Sequence, residues 1–195
     1  MFKRTYLQIV ILCLCILPTY ASSNELASSE VAIGGEFVLT SQSNQPYSLR
    51  NDAQGKAVIL FFGFTHCPDV CPNTLGAIQT SLHQLGQQAN QVQTIFITVD
   101  PKRDTPEILA AYLKYFDSNF IGLTGTVKQI DKVVEQFQGF YSYSGDLKGE
   151  HYTVDHTSNL YIINTEGEVA NIIPYGFPPQ AITNSIEKIL DKAES

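Results

Sequence analysis

Residues 57–64 read AVILFFGF, an apolar run without a single polar interruption. A run this short and this continuous, with Gly55-Lys56 before it and THCPDVCP after it, suits a strand buried on both faces. Such a strand lies inside a sheet that has helices on both sides, so it points to an α/β chain. Beyond the cysteine loop, Leu75, Ile78, Leu82 and Leu85 recur at helical spacing, which predicts a helix from about Asn73.

The rest of the chain extends this plan. Residues 37–40 and 47–49 flank the polar stretch SQSNQP and predict a hairpin. Residues 94–99 (TIFITV) form a second buried strand. Asp104-Thr105-Pro106-Glu107 supplies a helix start with an early proline and an acid in the first turn, and that helix should run to about Phe116. Thr126 and Gln129 make a capping box ahead of Ile130, Val133, Val134 and Phe137. Residues 160–163 and 169–173 flank Thr165-Glu166-Gly167-Glu168, a second hairpin. Pro178-Pro179 opens a last helix carrying Ile182, Ile186, Ile189 and Leu190. A buried strand, a cysteine loop and a helix in that order make the thioredoxin-like plan: a central mixed sheet with flanking helices, here with an N-terminal hairpin and an internal insertion.

The first residues have a different character. Lys3 and Arg4 precede an apolar run over 6–17, Pro18 breaks it, and Thr19-Tyr20-Ala21 offers a cleavable site. The expectation is a signal peptide over 1–21, a flexible lead-in over 22–33 and one domain over 34–195. Export to the bacterial periplasm follows, with anchoring at the inner membrane as the alternative. Cys13 and Cys15 fall in the apolar run and read as filler. Composition narrows the function. Hydrophobic residues make up 44% and charged residues 16%, as in a globular chain. The formal net charge of -7 gives nucleic acid phosphates little to bind.

Cys67 and Cys71 sit where a strand ends and a helix begins, where the helix dipole favours thiolate. Their spacing lets two sulfurs converge on one ion or on each other. Taken alone, the pair leaves a redox role, a metal role and a structural disulfide open. A peroxidase would need Pro-x-x-x-Thr-x-x-Cys. Counting back gives Phe64 and Leu60 from Cys67, and Pro68 and Phe64 from Cys71, so neither register fits.

Three blocks then narrow the choice. Gly63-Phe64-Thr65-His66-Cys67-Pro68-Asp69-Val70-Cys71-Pro72 resembles the signature of the Sco/SenC family of copper chaperones for cytochrome c oxidase. Val99-Asp100-Pro101-Lys102-Arg103-Asp104-Thr105-Pro106 resembles the second block of that family, and Tyr152-Thr153-Val154-Asp155-His156-Thr157-Ser158 the third. Thr157 stands where serine is more usual. The resemblance implies a thioredoxin-like fold and copper, as Cu(I) and also Cu(II), held by Cys67, Cys71 and His156. It further implies delivery to the dinuclear copper site of an oxidase subunit, with a periplasmic thiol reductase or another copper chaperone as further partners. Two thiolates and an imidazole suit copper, whereas a closed zinc site wants a fourth protein ligand. Where thioredoxin-like oxidoreductases place a cis-proline at the strand entrance, this chain has Asp155-His156. The alternative function is a thiol-disulfide oxidoreductase that reduces the target's cysteines through the Cys67–Cys71 pair.

Other residues carry lesser expectations. His66 is a tuning or transient ligand, or a solvated loop residue. His151 assists hand-over, and His83 lies on the polar face of its helix. Asp69 caps the helix, or serves as an acceptor or a partner-contact residue. Asp100, Lys102, Arg103 and Asp104 form an ion-pair and capping cluster that holds the cysteine loop or meets a partner. Asp155 is a weak candidate for orienting His156, because neighbours in an extended segment point apart. Tyr141, Tyr143, Tyr152 and Tyr175 line a docking surface or belong to the core.

Overall fold

The computed structural model describes residues 32–147, 149 and 151–193. The expected signal peptide and all but the last two residues of the expected lead-in lie outside that range. Within it, β1 (Val38–Ser41) and β2 (Pro46–Ser48) form the N-terminal hairpin, and α1 (Leu49–Asp52) follows. Then come β3 (Ala57–Gly63), α2 (Val70–Leu85), a 3-10 turn (Gly86–Gln91), β4 (Val92–Thr98) and α3 (Pro106–Leu113). The insertion contains β5 (Ile121–Thr124), α4 (Val127–Gln136), β6 (Tyr141–Gly145) and β7 (Tyr152–His156). The chain closes with β8 (Leu160–Ile163), β9 (Val169–Ile173) and α5 (Pro179–Ala193).

One mixed sheet of seven strands runs β2-β1-β5-β4-β3-β8-β9. The apolar run is the reason β3 lies inside it, and every residue of that strand is buried. It pairs in parallel with β4 on one edge and antiparallel with β8 on the other. Its alternation divides the core in two. Val58, Leu60, Phe62 and Phe64 pack with Ile130, Val133 and Val134 of α4 and with Phe137 just beyond its end. Ala57, Ile59 and Phe61 pack with Leu75 and Ile78 of α2, Leu109 and Leu113 of α3, and Ile182, Ile186 and Leu190 of α5.

The capping box at Thr126–Gln129 is present in both directions. Thr105 caps α3, its hydroxyl accepting from Ile108 N, and Pro106 takes the first helical position. Two expectations need correction. The helix expected from Asn73 starts at Val70 and takes in Cys71 and Pro72, because a proline in the first turn gives up only an N–H that would have no intrahelical partner. The insertion also carries three strands that were not expected. Ile121–Thr124 is short and contains Gly122. The β6–β7 pair forms a separate two-stranded sheet. Its Tyr-Ser-Tyr-Ser alternation at 141–144 is a period-two pattern that would have revealed it.

Candidate metal centre

The C-terminal ends of β3 and β4 lie side by side, joined where Val99 N donates to Gly63 O at 2.8 Å. Chain leaving β3 forms the cysteine loop, and chain leaving β4 forms the 99–104 loop. In open α/β sheets, the crevice beyond the strands' carboxyl ends is where ligands bind.

Cys71 lies in the first turn of α2 and is buried, at 1% exposure, while Cys67 stands in the loop and is half-buried. Asp69 occupies the N-cap position but makes no side-chain cap. It accepts instead from Asn73 Nδ2 at 2.6 Å. The helix end is met by sulfur, with Cys71 N donating to Cys67 Sγ at 3.4 Å. The Cys67 thiol is accordingly pulled down to about 5. The largest cause is its side-chain hydrogen bond with Cys71, opposed by burial and helped by the N–H groups of Cys71 and Asp69 and the charge of His156. Cys71 moves the other way, pushed up by its hydrogen bond to Cys67 and then by burial. The pair divides into an available thiolate and a protected thiol. Both are free cysteines.

His156 is the last residue of β7, on the same strand face as the buried Tyr152 and Val154. Its Nε2 is 3.8 Å from Cys71 Sγ, across 85 residues of chain. Its Nδ1 lies 2.9 Å from Thr157 O. A carbonyl only accepts, so Nδ1 carries a proton, and Nε2 is the ring nitrogen that faces the sulfurs. The Phe64 ring meets the imidazole edge to face at 5.9 Å. Thr157 retains the use of its hydroxyl, which accepts from Phe140 N at 2.9 Å. The donor atoms of Cys67, Cys71 and His156 all lie within 4.8 Å of one another, a group able to hold one metal ion. Two soft sulfurs and an imidazole nitrogen match copper in donor type.

The remaining candidates separate. His66, His83 and His151 are exposed, and none joins the group. Asp155 faces away and accepts from Ser144 Oγ at 3.5 Å, so Thr157 O orients the imidazole. Asp100 and Asp104 are fully buried rather than capping, while Lys102 is exposed. Tyr152 is buried, Tyr141 and Tyr143 are half-buried, and Tyr175 is exposed beside Phe177 in a cleft that also includes Thr74 and Ser158. Sequence reasoning gave no separate role to Gly63. A Cβ there would stand 2.8 Å from Cys71 Sγ and 2.7 Å from the Phe96 ring, so the buried sulfur needs a glycine at the end of β3.

A thioredoxin-like fold with two cysteines at a helix start and a histidine converging on them defines a thiolate metal-binding protein. A family model described as SCO1/SenC matches residues 26–191, and the chain belongs to that family. It is 38% identical over 149 residues to the SCO2-like protein of Rickettsia felis, covering 76% of this chain and 72% of that one. Protein SCO2, mitochondrial, of Saccharomyces cerevisiae is 36% identical over 171 residues, covering 87% of this chain and 56% of its own length. Among solved structures, Bradyrhizobium japonicum ScoI with copper bound superposes with a TM-score of 0.73 at 35% identity, covering 81% of this chain and 99% of that one.

Proposed function

We propose that this chain is a copper metallochaperone. Cys67, Cys71 and His156 hold one copper ion as cargo, and the chain delivers it to the dinuclear copper site of cytochrome c oxidase during assembly. The observation that carries this reading is the convergence of three soft and borderline donors on one point. The copper-bound state of Bradyrhizobium japonicum ScoI supports the choice of cargo. The family resemblance supports the oxidase subunit as recipient. Binding requires both sulfurs as thiolates, and the depressed Cys67 thiol needs little help to lose its proton. Titration of the reduced chain with Cu(I) should saturate at one ion per chain, and a stoichiometry indifferent to all three residues would overturn the reading.

A second reading rests on the unequal cysteines. A half-buried low-pKa sulfur beside a buried thiol is the attacking and resolving arrangement of a thiol-disulfide oxidoreductase. Such an enzyme has no need of His156. Undiminished reduction of a peptide disulfide by the His156→Ala variant, with no copper bound by the unsubstituted chain, would favour the enzyme.

Residues 1–21 are read as the export signal for the bacterial periplasm, and 34–195 as the working domain. No helix among the described residues is long and apolar enough to cross a membrane. N-terminal sequencing of the periplasmic fraction should begin at Ser22. An intact Met1 in the membrane fraction would replace cleavage with anchoring.

A further inference from the structure

The two pieces of chain that carry the candidate ligands belong to different sheets. The cysteine loop leaves the seven-stranded sheet at β3, and His156 ends a strand of the two-stranded sheet. No ladder joins β7 to β3. The chain ties β7 to β3 through residues 157–159 and β8, and the loop at 99–104 adds contacts to both sides.

Asp104 holds the cysteine side. Its carboxylate accepts from Thr65 N at 3.0 Å and from Thr65 Oγ1 at 2.5 Å, and Thr98 Oγ1 donates to it at 2.5 Å. Thr65 is the point where chain turns out of β3 toward Cys67. Arg103 holds the histidine side. Its Nη1 donates to Tyr152 O at 3.0 Å, and its guanidinium lies 3.6 Å over the Tyr152 ring. It also faces the Phe64 ring at 5.8 Å, and that ring abuts His156. Arg103 Nε pairs with Asp100, whose other oxygen accepts from Tyr152 OH at 2.9 Å. Tyr143 OH adds a bond to Val99 O at 2.9 Å.

Asp104 is wholly removed from solvent, and Asp100 is too. Burying a carboxylate costs free energy that an apolar side chain would avoid, so these groups are a poor means of stabilising a fold alone. They are a good means of fixing direction, because each bond holds a particular atom of a particular loop.

We propose that Asp104 and Arg103 are positioning residues for the copper group: Asp104 fixes the exit of the cysteine loop, Arg103 fixes β7, and the one loop between them sets the sulfur-to-imidazole separation. The inference rests on the copper reading above and concerns how that same site is built.

The test uses the purified, reduced chain as Asp104→Asn, Thr65→Val and Arg103→Lys beside the unsubstituted protein. Arg103→Lys keeps the charge but loses the planar fork that stacks and donates together. The control is Thr183→Val, which removes a buried hydrogen bond to Ser81 between α5 and α2, away from the site. Cu(I) affinity is read by competition with a chromophoric chelator. Geometry is read from the thiolate-to-Cu(II) charge-transfer band, and in the copper-free chain from the His156 ring resonances. The three site variants should bind Cu(I) about 10- to 100-fold more weakly, with a moved band and moved resonances. The control should lose thermal stability and keep all three readings. Folded site variants with unchanged affinity, band and resonances overturn the proposal, as does a control that loses copper to the same degree. If Asp104→Asn does not fold, Thr65→Val and Arg103→Lys decide by the same readings. A chain that binds no copper, yet whose His156 resonances move in the site variants, sinks the chaperone reading and sustains the positioning one.

Discussion

Cys71 Sγ and His156 Nε2 face each other at 3.8 Å, although one begins a helix of the main sheet's layer and the other ends a strand of a separate hairpin. The imidazole is held from behind by Thr157 O, so Nε2 is aimed at the sulfurs before any ion arrives. A prealigned donor spares the site the cost of ordering it on binding.

Removing a donor therefore has graded consequences. Cys67→Ser or Cys71→Ser should abolish stable Cu(I) binding, since a hydroxyl oxygen is a hard ligand for a soft ion. His156→Ala should leave both sulfurs in place and weaken binding by about tenfold or more, roughly 1.4 kcal/mol, with the fold intact. Chelator competition measures both. An unchanged affinity and spectrum in His156→Ala would end the three-donor assignment.

The two thiols should react at different pH. With Cys67 drawn down to about 5, its thiolate predominates above that pH and is lost as the pH falls through it. Carbamidomethylation followed by peptide mass spectrometry should show Cys67 modified with a midpoint near pH 5, and Cys71 protected well above it. A Cys67 midpoint near 9.0, the ordinary thiol value, would show that neither the hydrogen bond with Cys71 nor the N–H groups of Cys71 and Asp69 hold the thiolate.

Copper and oxidation should compete. The sulfurs lie within 4.8 Å and would close to ~2.05 Å in a disulfide, which leaves no thiolate to bind metal. The oxidised copper-free chain should show two fewer free thiols and take up no copper until a reductant is added. Equal affinity in the oxidised and reduced forms would show that the cysteines are not both ligands.

Gly63→Ala tests the packing behind Cys71. Its Cβ would press on the sulfur at 2.8 Å and on Phe96 at 2.7 Å, both in the buried core. Overpacking of this kind costs about 1–3 kcal/mol, and the sulfur has to shift to relieve it. Denaturant unfolding should record the loss, and copper affinity should fall with it. A variant of unchanged stability would mean that the Cys71 side chain has room to move.

Residues near in sequence were legible where a periodic pattern or a short spacing reported them. The apolar run specified a strand buried on both faces, because no half-exposed strand tolerates that composition. Thr126 and Gln129 specified a helix start through bonds within one turn. The position of the cysteine pair, between a strand end and a helix start, predicted a lowered thiol. Which thiol is lowered depended on the tertiary fold, since it follows first from the hydrogen bond between the two cysteine side chains, and then from Cys67 accepting at the start of a helix that begins at Val70 while Cys71 is buried against Gly63. The three sequence blocks, by resemblance, named His156, but no local rule brings a residue across 85 positions to a sulfur. Nor does local patterning distinguish an aspartate that caps a helix from one turned inward, as Asp104 is toward Thr65. Those relationships are between loops, whose side chains have no period. Their positions are set by the packing of β3, β4 and the β6–β7 hairpin around them.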